Sequence, residues 1–239
     1  LDRAADMEAA ADAFAGGKIV LLRLGSIYSL IINPQVKDLA DKLNLLKERR
    51  GDQIMSVVCT SPQAKKNADK SRVNGDFYNL PDDFAGRVIV RIPVAADGPL
   101  PFPYHIEKGT MQYLSFEGTH PLRETFGRKI AERGCDYAAI TSANIGGAPT
   151  IEDIAPAKKL ALLFNIKSEF ACLNAQTVVA EIPGDAGGHR GSLAIVSFCN
   201  KDAIEVKRLA DKNDRRLTEK YLADLFANIK TETPLVYAL

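Results

Sequence analysis

The chain has 239 residues, 46% hydrophobic and 26% charged, so it can bury a sizeable core without a disulfide or a structural metal. Lys and Arg number 31 against 30 Asp and Glu, a net charge of +1 that excludes a general polyanion-coating protein and still allows a local basic patch. The four cysteines lack C-x-x-C spacing, and no long apolar span or leader pattern occurs. We therefore expect buried, reduced thiols and a cytoplasmic protein with no membrane partner.

Hydrophobic periodicity alternates between helical and strand-like along the chain. The first periodic stretch, 2–15, stops at a pair of glycines, and a buried apolar run follows directly. Helices are predicted at 2–15, 34–50, 62–72, 120–133, 151–164 and 214–230. Strands are predicted at 18–24, 27–32, 54–59, 87–93, 111–116, 137–141, 177–182 and 193–198. Because helices and strands intermix throughout, we expect an α/β fold with a single twisted sheet, whose strand order does not follow from the pattern.

A cluster of cations ends the second predicted helix. Lys47, Arg49 and Arg50 stand within four residues, directly before Gly51. Lysine offers a mobile point charge and arginine a planar fork for phosphate oxygens, so the cluster suits an anion. Basic residues also favour a helix C-terminus through the helix dipole, and that structural explanation stays open.

A small, polar loop follows the strand predicted at 137–141. Ser142 and Asn144 offer a hydroxyl and an amide, and the glycines that follow let a ligand approach the backbone. Ligands of open α/β sheets bind at the carboxyl ends of strands, which favours a binding loop here. The alternative is an ordinary turn in which these two residues cap a helix.

Two further segments are candidates for ligand contact. Residues 184–192 contain four glycines around a His-Arg pair and end at Ser192, which suits either a loop that closes over an anion or a plain connection. Arg23, Ser26 and Tyr28 stand where the first strand ends, so they are candidates for a small-molecule pocket. A half-buried structural aromatic is the alternative for Tyr28.

Several other chemistries are not favoured by the sequence. It contains no G-x-x-x-x-G-K-[ST] loop, no G-x-G-x-x-G fingerprint and no G-x-S-x-G elbow. The three histidines are far apart and lack metal-ligand spacing, so we expect no protein-bound structural metal.

The order of these features resembles the YrdC-like family across roughly residues 16–208. The order is a strand with a hydroxyl-x-Tyr turn, a helix ending in Lys-x-Arg, Ser-Ala-Asn-x-x-Gly, and a glycine-rich loop before a serine and a strand. The strongest matching segments are Lys-Glu-Arg at 47–49, Phe-Ala-Gly-Arg-Val at 84–88, Thr-His-Pro at 119–121 and Thr-Ser-Ala-Asn-Ile-Gly-Gly at 141–147. The resemblance implies an α/β fold with a single twisted, open, mixed sheet flanked by helices. It also implies a YrdC-like nucleotide-binding domain at 1–210, with 211–239 as a helical extension packed on it.

The family is best known for threonylcarbamoyl-adenylate synthesis. Its enzymes combine L-threonine, bicarbonate and ATP, release pyrophosphate, and supply a group that later modifies an adenosine in tRNA. The resemblance implies a nucleotidyltransferase with ATP as cofactor, the nucleotide carrying its own Mg²⁺. It assigns Lys47 and Arg49 to the phosphates and to catalysis, and Ser142, Asn144 and Ser192 to the nucleotide. Lys47, Arg49, Ser142 and Asn144 are therefore expected to converge on one basic pocket, at a solvated groove.

The acceptor side departs from the family pattern. Where members typically carry Pro-Thr-x-Thr-x-Tyr-Gly, residues 23–29 read Arg-Leu-Gly-Ser-Ile-Tyr-Ser, so only Ser26 and Tyr28 match. The arginine that members carry shortly before His-Pro is missing from 114–116. Arg23 is a new cation here, and with Ser26 and Tyr28 it is assigned to the acceptor.

Three functions follow from this pattern. The first is an ATP-dependent carbamoyl-adenylate synthase with threonine or a changed acceptor such as another amino acid. The alternative is a non-catalytic YrdC-like module that binds nucleotide, tRNA or other RNA. The third is an unrelated α/β structural or interaction domain.

Overall fold

The fold is α/β, with one large mixed β-sheet flanked by helices, as the sequence predicts. The structure is a computed structural model that describes residues 3–24, 27–49, 55–98, 100, 109–117, 121–180, 193–209 and 215–238. The α-helices are α1 (Arg3–Ala15), α2 (Leu39–Leu46), α3 (Ser61–Asn67), α4 (Pro121–Ala131), α5 (Ile154–Phe170) and α6 (Arg215–Ala227). The strands are β1 (Ile19–Leu24), β2 (Ile27–Ile32), β3 (Ser56–Val58), β4 (Ile89–Pro93), β5 (Thr110–Leu114), β6 (Ala138–Ser142), β7 (Thr177–Ala180), β8 (Ile195–Asn200), β9 (Ala203–Arg208) and β10 (Leu235–Tyr237).

The chain divides into two compact units. The first comprises Leu1–Met55 and His120–His189, and its strands lie in the order β6-β2-β1-β7. Strands β1 and β2 form an antiparallel pair, β2 pairs antiparallel with β6, and β1 pairs in parallel with β7. Helices α1 and α4 pack together, with the rings of Phe14 and Phe126 edge to face at 6.0 Å.

The second unit comprises Ser56–Thr119 and Arg190–Leu239, with strand order β10-β9-β8-β4-β5-β3. Parallel pairs (β3–β5, β4–β8, β9–β10) alternate with antiparallel pairs (β4–β5, β8–β9). The rings of Phe77, Tyr113 and Phe198 pack in its core. Asp76 accepts hydrogen bonds from the main chain and hydroxyl of Thr233, which fixes the start of β10.

Some local expectations were wrong. The helix predicted at 34–50 begins only at Leu39, because Asp38 adopts a left-handed backbone (φ 61°) that a helix cannot continue through. Residues 87–93 alternate apolar and charged side chains, a pattern that predicts a half-buried strand, but Arg91 of β4 is buried beside Gln112 and Ser197 on the neighbouring strands. Strands β9 and β10 were not predicted.

The cysteines also differ from the expectation. Cys59 and Cys135 are buried, as predicted, but Cys172 is exposed and Cys199 partly exposed. Cys172 lies in the turn after α5 with φ 51°, where the chain leaves the helix and the core. All four cysteines are free.

Candidate functional site

A buried lysine joins two distant segments of the first unit. Helix α2 ends at Leu46, and Lys47 at its C-cap is completely buried. Its ammonium nitrogen Nζ donates hydrogen bonds to the main-chain oxygen of Ser142 and to Oδ1 of Asn144, the latter at 3.0 Å. The end of α2 and the loop after β6 therefore meet, although 95 residues separate Lys47 from Ser142.

The loop after β6 is held by its own side chains as well. The hydroxyl of Ser142 donates to Oδ1 of Asn144 at 2.8 Å, and Nδ2 of Asn144 donates to the main-chain oxygen of Ala148 at 2.6 Å. Asn144 thus accepts from two side chains and closes the loop across four residues. A serine and an asparagine at this spacing give the loop a fixed shape before any ligand arrives.

The backbone of the loop approaches the end of α2 closely. The amide of Gly146 donates to the main-chain oxygen of Lys47 at 2.7 Å. A Cβ atom at position 146 would lie 3.2 Å from the main-chain oxygens of both Lys47 and Glu48. Glycine is therefore favoured here, because any other side chain would push the two backbones apart by a few tenths of an ångström.

The electrostatics of the site are positive. Burial, and then the charge of Arg49, lower the pKa of the Lys47 ammonium to about 7. Arg49 is partly buried, its pKa is lowered by that burial, and it makes no side-chain hydrogen bond or ion pair with any residue that the structure describes. The carboxylate of Glu48 pairs instead with Lys167 of α5, on an exposed surface. Arg49 is therefore a cation without an anionic partner in the described part of the chain.

The strands β1 and β2 bring two more predicted residues to this region. Ala143 lies between Ser142 and Asn144 in the loop. Its amide donates a hydrogen bond to the main-chain oxygen of Tyr28 at 2.9 Å. Tyr28 is buried, and Arg23 is its cross-strand partner on β1. The Nε atom of Arg23 is buried and has no hydrogen-bond partner among the described residues.

The structure therefore brings together Lys47, Ser142 and Asn144, as expected from the sequence. It differs on the setting of Lys47, because a solvated groove was expected and the side chain has no exposed area. Ser26 and Ser192 lie outside the described residues, as does the glycine-rich loop at 184–192. The backbone contact of Gly146 and the Glu48–Lys167 pair were not predicted.

The described residues contain no group of three or more His, Cys, Asp or Glu side chains arranged to hold a metal ion. The helices among them are all too short or too polar to cross a membrane.

The comparisons with known proteins identify the fold. No protein-family model and no curated protein matches the sequence. Among solved structures, a variant of Sua5 from P. abyssi is 17% identical with a TM-score of 0.60, covering 86% of this chain and 56% of that one. Full-length HypF, in a phosphate- and nucleotide-bound form, is 18% identical with a TM-score of 0.59, covering 81% of this chain and 27% of that one. YciO of E. coli is 10% identical with a TM-score of 0.57, covering 86% of this chain and 89% of that one.

These matches confirm the predicted resemblance at the level of the fold. The chain has the YrdC-like α/β architecture that Sua5, HypF and YciO contain. It spans about half of Sua5 and a quarter of HypF, but nearly all of YciO. With identities below 20%, the comparison defines a divergent protein of YrdC-like fold and does not transfer an activity.

Proposed function

We propose that this chain binds ATP through its phosphates beside the loop after β6 and uses it to form a carbamoyl-adenylate. The observation that carries the proposal is the partly buried guanidinium of Arg49, which has no acceptor among the described residues. It follows Lys47 by two positions, and Lys47 is bonded to the loop. A buried cation of this kind gains most from a charged oxygen ligand.

The side chains at the site have different roles in this proposal. Lys47 holds the loop in place and contributes positive charge, while Arg49 offers its fork to the phosphate oxygens. Ser142 and Asn144 shape the loop against which the nucleotide lies. Support from outside comes from HypF, whose structure is described as phosphate- and nucleotide-bound.

The reaction requires positioning and charge neutralisation. The neutral amine of the acceptor combines with bicarbonate to give a carbamate, and one water molecule leaves. A carbamate oxygen then attacks the α-phosphorus of ATP, and the bond from that phosphorus to the pyrophosphate oxygen breaks. Negative charge develops on the departing pyrophosphate, and Arg49 and Lys47 are the cations that stabilise it, with Mg²⁺ carried by the nucleotide. No covalent bond to the protein is needed.

The acceptor pocket is assigned to Tyr28, Ser26 and Arg23. The buried Nε of Arg23 has no hydrogen-bond partner among the described residues, so it suits the carboxylate of an acceptor, because a carboxylate that leaves water needs a charged partner. Sua5 of P. abyssi has been solved complexed with L-threonine, which supports an amino acid as the acceptor class. The rewritten residues at 23–29 favour an acceptor other than threonine.

A second candidate function is a nucleotide- or RNA-binding module without catalysis. The observation that favours it is the complete burial of Lys47, whose ammonium already has two acceptors inside the protein. A synthase that relies on this lysine for phosphate contact would have to release it from the loop. A module that only binds phosphate can use Arg49 alone.

The test begins with ATP affinity by isothermal titration calorimetry. Arg49→Ala should weaken ATP binding by about 1.5–3 kcal/mol, or roughly 10- to 150-fold, the scale of a charged hydrogen bond. Arg128→Ala is the matched control, because Arg128 is exposed and paired with Glu132 on α4. Unchanged ATP affinity in folded Arg49→Ala would remove the basis of the proposal.

Pyrophosphate release separates the two candidates. Wild-type protein is incubated with ATP, bicarbonate and a panel of amino acids and other small carbamoyl acceptors. Release that depends on both bicarbonate and an acceptor supports the synthase. Tight ATP or RNA binding with no release across the panel supports the module.

A further inference from the structure

The outward face of α5 carries a row of large hydrophobic side chains in contact with solvent. Phe170 is 88% exposed, Leu162 61%, Ile166 45% and Leu163 36%. They share one side of the helix, since residues three and four apart are neighbours on its surface. The opposite side is formed by the buried residues Ala157, Leu160, Ala161, Phe164 and Ser168. A row of exposed apolar side chains along one helix face is typical of a surface that contacts another molecule.

The spacing along this face follows the pattern of paired helices. Lys159, Leu162, Ile166 and Glu169 are separated by three, four and three residues, the alternation that makes a seam between two packed helices. Leu163 lies beside this seam, on the side of Phe170. Leu162 and Ile166 form the middle of the seam. The positive Lys159 stands at one end and the negative Glu169 at the other.

We propose that this face binds the same face of a second copy of the chain, with the two helices antiparallel about a two-fold axis near position 164. Leu162 then faces Ile166 of the second copy, and Lys159 faces Glu169 of the second copy. Two-fold symmetry repeats both contacts, so one surface is complementary to itself.

The charges at the ends of the seam decide whether the two helices pair in parallel or antiparallel orientation. Lys159 and Glu169 are both exposed and lie about 15 Å apart along the helix axis at 1.5 Å per residue. In a parallel pair, Lys159 would face Lys159 of the second copy and Glu169 would face Glu169, so like charges would meet at both ends. In the antiparallel pair, each meets its opposite, so the charges that oppose the parallel arrangement stabilise this one.

The interface is small. One helix of 17 residues offers less than the roughly 800 Å² per partner that stable complexes typically bury, so the dimer is weak and depends on concentration. Its formation does not involve the loop after β6 or Arg49, and it therefore stands independently of the proposed function.

The test is sedimentation equilibrium of wild type and charge variants over a concentration series. K159E places a carboxylate opposite Glu169 at both ends of the seam, and E169K places two cations opposite Lys159. Each should weaken self-association by about tenfold or more, because two attractive pairs become two repulsive ones. K66E is the matched control, because Lys66 is exposed on α3 in the other unit, and it should leave association unchanged.

Mixing the two single variants gives the decisive result. In a mixed pair, both ends carry opposite charges again, so the equimolar mixture should recover wild-type association that neither variant shows alone. The double variant K159E/E169K should recover it as well. Circular dichroism establishes that each variant is folded, as expected for substitutions at exposed positions. A wild-type chain that stays monomeric at its highest soluble concentration overturns the proposal, and so does a mixture that associates no better than its components.

Discussion

The burial of Lys47 predicts an unusual pH dependence of stability. The ordinary lysine pKa of 10.5 is lowered to about 7 in the folded chain by burial and by Arg49. Between these two values the unfolded chain holds a proton that the folded chain has released. The free energy of unfolding therefore rises with pH across this window. Below about pH 7 the folded state carries the full cost of a buried charge, and above 10.5 it carries none.

The magnitude follows from the same shift. At about 1.4 kcal/mol per pH unit, the whole window corresponds to about 5 kcal/mol, and the part between pH 7 and pH 9 to about 2 kcal/mol. Lys47→Met removes the titrating group and should abolish this gain. The diagnostic is the slope, since the absolute stability of the variant reflects both the lost charge and the two lost hydrogen bonds from Lys47 to Ser142 and Asn144.

Urea denaturation of wild type and Lys47→Met at several pH values between 6.5 and 9.5 measures the difference. Lys42→Met is the matched control, because Lys42 stands on the same helix and keeps contact with solvent. The control should retain the wild-type slope. Parallel pH profiles for wild type and Lys47→Met would refute the reasoning.

Three further outcomes are expected. Gly146→Ala should destabilise the chain by about 1–3 kcal/mol in urea denaturation, because its methyl group meets main-chain oxygens at 3.2 Å, whereas Gly75→Ala, with nothing within 4 Å, should cost less than about 1 kcal/mol. ATP binding at pH 8 should be accompanied by proton uptake, because a bound phosphate raises the pKa of Lys47 from about 7. Calorimetric titrations in buffers of different ionisation enthalpy measure this uptake, and Lys47→Met should lose it. Pyrophosphate release with L-threonine should be slow compared with another acceptor in the panel, because the arginine that YrdC-like members carry shortly before His-Pro is missing at 114–116. Turnover of L-threonine at an ordinary synthase rate would contradict this.

The sequence predicted most elements because their hydrophobic patterns are local. Buried strands such as β1 and β6, and amphipathic helices such as α4, have patterns that need no knowledge of their neighbours. The start of α2 could not be predicted in this way. It depends on the left-handed backbone of Asp38, whereas Pro34 suits the first turn of a helix equally well and placed the predicted start there.

Strand β9 had a usable signal that was missed. Ile204 and Val206 are buried and alternate with Glu205 and Lys207, the period-two pattern of a half-buried strand. Strand β10 is different. It has three residues, and its start is fixed by Asp76 from more than 150 positions away. A segment this short, held by a distant side chain, leaves too little local pattern to be recognised.

For the candidate site, the sequence predicted that Lys47 meets Ser142 and Asn144 and could not predict how. The pairing of Lys47 with Ser142 and Asn144 came from the order of motifs along the chain. The burial of Lys47 depends on the close approach of the loop backbone, which only the three-dimensional structure shows. The one sequence signal for that approach was Gly146, and glycines are also common in loops that approach nothing.

The burial of Lys47 assigns different work to the two cations that sequence resemblance treats as a pair. Lys47 bonds the end of α2 to the loop after β6, so its removal disturbs the shape of the site and the pH dependence of folding together. Arg49 has no such bond among the described residues, so its removal should change ligand affinity and leave the loop in place. A ligand that pairs with Arg49 also offers negative charge to Lys47 and favours its protonated form. Phosphate binding and protonation of Lys47 are therefore coupled. The loop stays attached to α2 throughout, since the protonated ammonium is the stronger donor to Ser142 and Asn144.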